Sequence, residues 1–171
     1  MALAEPVTEM DTRYSDPAAQ PLSWDSARET LGAAELSWIS TVRPDGRPHV
    51  TPLLTVSEGS TVYFCTGPEE RKCRNIAENP HVVLTTGRNS RRGGVDLVVE
   101  GDAVRVTDEA TLRRLADAWV AKYGEEWRFD VGKGAFLHPG GVGEAWLFAV
   151  AATTVFGFGK GPYSQTRWRF G

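Results

Sequence analysis

The chain has 171 residues, 41% of them hydrophobic and 24% charged, which is the make-up of one ordinary globular domain with a core of its own. Nineteen Lys and Arg against 22 Asp and Glu leave a net charge of −3. No general basic field exists to hold nucleic acid, so basic residues must act locally, on one or two anionic groups. Two cysteines, Cys65 and Cys73, and three separate histidines, His49, His81 and His138, show neither metal-ligand spacing nor a disulfide framework. No window reaches the ~18 apolar residues of a membrane span. MALAEPVTEM lacks the basic start and apolar centre of a secretory leader. The expected location is the cytoplasm, with both thiols reduced.

Residues 1–21 are polar, rich in Ala, Pro and Asp, and without periodicity; they read as a flexible arm, or one that packs only on a partner, ahead of a single domain over 22–171. Ser23 can cap a short helix, WDSARETLGAAE, that Gly32 weakens or ends. LSWISTV alternates, with Leu36 and Trp38 on one face and Ser37, Ile39 and Thr41 on the other. RPDGR is a hairpin turn, and PHVTPLLTV the return strand. Pro52 inside that strand requires an edge or a bulge, and an interrupted strand leaves backbone groups free for a ligand. SEGS turns into TVYFC; a short helix over Pro68–Glu78 and the strand HVVLTT follow. GRNSRRGG is a basic, glycine-rich loop, and VDLVVEGDAVRVT a long strand broken or bent at Gly101. Thr107 is the expected cap of the clearest helix, Asp108–Gly124, whose Leu112, Leu115, Ala116, Trp119 and Val120 follow helical spacing. A long connection over 125–143 leads to EAWLFAVAATTVFGFGKG, one or two strands, and a tail in which Arg167, Trp168, Arg169 and Phe170 alternate. About seven short strands with hairpin turns and two or three helices predict a mainly β antiparallel barrel.

One detail runs against helix electrostatics. Arg71 and Lys72 sit in the first turns of the Pro68–Glu78 helix, where the N-terminus already carries partial positive charge. They are either solvated surface or the grip on an anion, most simply a phosphate, held between the helix start and two cations.

The run YFCTGPEERKCRNIAENPHVVL resembles the flavin-binding segment of the pyridoxamine 5′-phosphate oxidase-like family, the FMN-binding split β-barrels. The shared residues are Tyr63, Phe64, Thr66, Arg71, Lys72, Ile76, Asn79, Pro80, Val82, Val83 and Leu84, and the upstream STVRPDGRPHVTPL looks like the family's first two strands. The resemblance implies a split antiparallel barrel with accessory helices, working as a homodimer with FMN in the groove between subunits. It implies that Arg71 and Lys72 grip the phosphate and that Thr66 donates its hydroxyl to it. The strand carrying Val50, Thr51, Pro52 and Leu53 would run beside the isoalloxazine ring. Trp146 and Trp168 read first as packing or dimer residues, with a tail tryptophan, Trp168, stacked near the flavin as the alternative.

Departures limit the carry-over. Thr55 stands where the oxidases show a flavin-binding Lys, and TRWRF replaces their substrate-gripping Arg-x-His, so oxidation of pyridoxamine phosphate is not expected. Members of the wider family bind the deazaflavin coenzyme F420. Arg74, one helical step beyond Arg71, adds a third cation that suits such a ligand, and GRNSRRGG could receive the carboxylates of its tail. No Ser-His-Asp, paired-carboxylate or metal constellation emerges, and no catalytic residue is assigned; a flavoprotein needs few, because the cofactor carries the hydride or electrons. The leading expectation is an FMN-dependent oxidoreductase acting on a small molecule. An F420-dependent reductase and a barrel that holds flavin or haem without turnover are the alternatives.

Overall fold

The computed structural model describes residues 5–139 and 143–171; residues 1–4 of the expected arm and 140–142 of the 125–143 connection lie outside it. Three α-helices and eleven strands are present among the described residues, more strands than the seven expected, because the connection and the arm each contribute.

Helix α1 (Trp24–Ala33) starts where Ser23 accepts the Ser26 N–H, 3.2 Å away. Strands β2 (Ser37–Val42) and β3 (Pro48–Leu53) flank the RPDGR turn, closed by Arg43 N–H to Arg47 C=O at 3.0 Å, with Gly46 at φ 82°. β3 ends the sheet, and its pairing runs to β2 alone among the described residues, so Pro52 stands on an edge strand, opposite Trp38. β4 (Val56–Glu58) and β5 (Thr61–Thr66) form the next hairpin. Helix α2 (Arg71–Glu78), shorter than expected by three residues, leads to β6 (His81–Thr86) and β7 (Val95–Val106). Helix α3 (Glu109–Tyr123) is capped by the Asp108 carboxylate on the Thr111 N–H at 2.8 Å; Thr107, the expected cap, stands one residue outside. β8 (Asp130–Gly132) and β9 (Ala135–Leu137) pair with each other, and β9 continues onto β10.

β10 (Glu144–Lys160) is one 17-residue strand, and it organises the barrel. β7 runs along one edge, while the other is shared: β5 pairs with Trp146–Ala151, and β11 (Tyr163–Arg169) with Thr154–Lys160. The changeover coincides with a register shift between Ala152 and Thr154, opposite Gly101. This sharing splits the barrel, and the antiparallel sheet does not close.

The 1–21 segment departs from the expectation of a loose arm. β1 (Val7–Met10) pairs with β11, and Glu9 lies between Arg167 and Arg169, accepting from Arg169 Nη2 at 2.9 Å. Ala19 is buried. A free strand edge on β11 and the alternating Arg residues of the tail supply the partner that the segment's own sequence does not reveal.

Two apolar clusters fill the fold. One joins Ile39, Val62, Phe64, Leu84, Leu97, Val99, Val150, Val155 and Trp168 with Leu31 of α1 and Ile76 of α2. The other seats Leu112, Leu115 and Trp119 of α3 on Phe129, Phe136 and Leu147. No described helix is long and apolar enough to cross a membrane.

Candidate functional site

Thr66 closes β5, and the chain turns through Gly67–Glu70 into α2. The turn is tied by the Glu70 carboxylate, which accepts the Gly67 N–H at 2.9 Å and the Lys72 ammonium. Glu70 is the N-cap of α2, yet its side chain makes no capping bond to the helix, so the first N–H groups face outward uncapped. Burial would raise the Glu70 carboxyl pKa; the bonds from Lys72 and Gly67 outweigh it and hold the group below its ordinary value. Lys72 is 7% exposed and so is not solvated surface, while Arg71 is exposed and without an acidic partner among the described residues. Arg74 turns away to Glu69, 2.6 Å distant, which removes it from the grip that the sequence suggests.

The helix is locked against the β2–β3 hairpin. Asn75, fully buried, donates to Thr41 Oγ1 at 2.9 Å, and the Thr41 hydroxyl approaches the His49 carbonyl at 3.5 Å. That link sets the start of α2 beside β3. The His49 imidazole is held below its usual pKa by burial first, then by Arg43, Lys72 and Arg71. The charges of Arg43, Lys72 and Arg71 therefore all bear on one imidazole, and Glu70 and Glu69 are acidic groups at the same helix start.

Five buried side-chain polar atoms among the described residues lack a hydrogen-bond partner. Four belong to this corner or the strand beside it: Arg43 Nε, His49 Nδ1, Thr51 Oγ1 and Thr66 Oγ1. Thr66, 3% exposed, lies on the Glu70 side without reaching full bonding geometry. An unmet buried polar group costs ~1–3 kcal/mol, and native folds carry few. Two of the four, His49 Nδ1 and Thr51 Oγ1, lie on the same face of β3, and Thr66 Oγ1 lies at the end of β5 next to Glu70. Arg43 and His49 escaped sequence reasoning, since one is a turn residue and the other a lone strand histidine. Their only signal was proximity in sequence to the RPDGR turn.

The remaining candidates divide. On β3, Thr51 and Leu53 share the inward face with His49, while Val50, 52% exposed, and Pro52 face outward. Trp168 is 0% exposed, inside the core against Trp24, and has no surface to offer a planar ligand; β11 is flanked by β10 and β1, which turns its apolar side inward. Thr55, where the oxidases show a lysine, is buried and pinned by Tyr123 and Lys122 of α3, a structural role. Both cysteines are free; burial pushes the Cys65 thiol up to about 12 and also raises Cys73, so neither is a nucleophile at neutral pH.

An open, split antiparallel barrel with Arg71 and Lys72 at the start of its short middle helix defines the class. The family model for pyridoxamine 5′-phosphate oxidase matches residues 23–141, and the chain belongs to that family. No curated protein matches it in sequence. Solved structures share the fold at low identity. General Stress Protein 26 from Bacillus anthracis is 20% identical, with TM-score 0.57, over 81% of this chain and 95% of that one. An FAD-binding protein from Mesorhizobium loti is 19% identical, with TM-score 0.58, over 87% and 96%. The FAD-binding protein from Mycobacterium smegmatis is 20% identical, with TM-score 0.54, over 87% and 97%.

Proposed function

We propose that this chain is a flavin-dependent oxidoreductase that holds FMN at a homodimer interface and passes a hydride or electrons to a small substrate. What carries the reading is the convergence of Arg43, Arg71 and Lys72, an uncapped helix start and buried unpartnered polar atoms on one corner. These groups fit a phosphate. Arg71 and the α2 N–H groups bind it, Lys72 exchanges part of its bond with Glu70 for it, and Thr66 donates its hydroxyl. β3, an edge strand with free backbone groups, offers hydrogen bonds to the ring, and Thr51 adds a hydroxyl on its inward face. The flavin ring supplies the redox chemistry when bound, so the protein needs few reacting groups of its own. Family membership and the two FAD-binding proteins of the same fold support the reading.

The test is a titration of Arg71→Ala and Lys72→Ala with FMN beside the parent. Hydrogen bonds to charged groups are worth ~1.5–3 kcal/mol, so each loss should weaken FMN about ten- to a hundredfold. Riboflavin, which lacks the phosphate, should hardly respond. FAD and F420 in the same titration rank the three cofactors. FMN affinities within about twofold of the parent in both variants would place any phosphate elsewhere.

A further inference from the structure

The loop 87–94 and the outer ends of β2, β6 and β7 enclose a groove of about 930 Å³, separate from the anion corner. Its walls carry two exposed aromatic rings, Trp38 on β2 and Tyr163 at the start of β11, and its rim carries Arg88 and Arg91. The loop is built rather than loose. Lys160 Nζ spends its three donors on Arg88 C=O at 2.6 Å, Ser90 C=O at 2.7 Å and Asp96 Oδ1 at 2.8 Å. Backbone bonds Gly93 N–H to Lys160 C=O and Lys160 N–H to Gly94 C=O close it. Gly87 is required where it stands, because a Cβ there would fall 2.1 Å from Asp96 Oδ1. Lys160 thereby neutralises the one carboxylate on the groove wall. Arg88 and Arg91 have no acidic partner among the described residues, so the groove presents two uncompensated guanidinium groups beside two ring faces.

We infer that this groove binds the substrate, and that the substrate is a small planar ring bearing a carboxylate. The volume suits one small molecule. Trp38 and Tyr163 offer ring contact, and a guanidinium matches a carboxylate with paired hydrogen bonds. Trp38 is the cross-strand partner of Pro52 on edge strand β3, which puts the groove next to the strand assigned to the flavin ring. That the bound molecule is a substrate rests on the flavin reading; that the groove binds such a molecule does not.

The experiment is calorimetric titration of the purified full chain with 2-naphthoate, 2-naphthylmethanol and acetate, with bound flavin followed separately by its absorbance. The expected result is that 2-naphthoate binds at least about tenfold more tightly than either control, which lacks the charge or the ring. Arg88→Ala and Arg91→Ala should each weaken 2-naphthoate about tenfold and leave 2-naphthylmethanol unchanged. Both side chains are exposed and unpaired, so the variants should melt with the parent. Naphthoate binding no tighter than acetate, or undiminished in both variants, would overturn the proposal. So would release of flavin by 2-naphthoate, which would make the groove part of the cofactor's own site. A chain that binds no flavin but still selects 2-naphthoate would sink the redox reading and spare the groove.

Discussion

In the free protein Glu70 takes the position at the start of α2 that an outside anion would compete for, because Lys72 and the Gly67 N–H both bind its carboxylate. A phosphate arriving there meets a like charge. Glu70→Gln keeps an oxygen for Gly67 and removes the charge, so FMN affinity should rise by roughly two- to tenfold while riboflavin affinity stays level. Unchanged or weaker FMN binding would mean that Glu70 does not oppose the phosphate. His49 sits among Arg43, Arg71 and Lys72, and burial with those charges keeps it neutral to lower pH than a free imidazole. The unfolded chain binds this proton near about pH 6.5, the folded chain only at lower pH, so stability from this group falls as pH drops below about 6.5. A bound phosphate reverses the local field and raises the His49 pKa, so binding takes up a proton. FMN titrations of the parent and His49→Asn from about pH 8 to about pH 6 should therefore show the parent's advantage growing as pH falls. Comparison with the variant cancels the phosphate's own titration, and a constant ratio would exclude His49 from the site.

At the scale of elements, β10 and β11 depend on a close approach. A Cβ on Gly157 would lie 2.7 Å from Trp168 Cη2 and 3.1 Å from Leu22 Cδ1, and Trp168 is fully buried with no room to give. Overpacking of this kind costs ~1–3 kcal/mol. Gly157→Ala should lower the melting temperature by roughly 2–12 °C, since ~1 kcal/mol moves a chain of this size by about 2–4 °C. Its FMN affinity should match the parent, because β11 is remote from the anion corner. An unchanged melting temperature would show that the tryptophan can shift. Alternation in the Arg-Trp-Arg-Phe tail places Trp168 on one face, and only the neighbours decide that this face is core, which is its packing reading and not the flavin-stacking one. Helix α2 was legible for a different reason. Its apolar positions, flanking turns and Asn-Pro ending are all local, whereas the Asn75–Thr41 bond that aims it at β3 joins residues 34 positions apart.

For the whole molecule, the outward face of β3–β2–β6–β7 leaves Trp38 46% exposed beside Val50 and Pro52, at the open edge of the sheet. A monomer rarely leaves an apolar face and a free strand edge together uncovered. The expected assembly is a homodimer through the β3 edge of this face, beside the groove that Trp38 lines, and sedimentation equilibrium at micromolar concentration should give twice 18.7 kDa. Val50→Glu should shift the distribution toward the single chain. A parent that sediments only at 18.7 kDa would remove the shared cofactor groove with it.

By itself the sequence determined the antiparallel class of fold, the order of its hairpins and helices, and the edge or bulge that Pro52 requires. Those depend on turn chemistry, alternation and spacing, which act over a few residues. The tertiary structure alone decided that residues 7–10 are a strand, that one 17-residue strand serves both parts of the barrel, and that the charges of Arg43, Arg71 and Lys72 all act on His49. It also decided that Lys72 is already paired with Glu70, that Arg74 turns to Glu69, and that Trp168 is core. Each of these depends on which distant segment supplies a strand partner, a counter-charge or a packing surface, and burial then sets which side chains are left to bind.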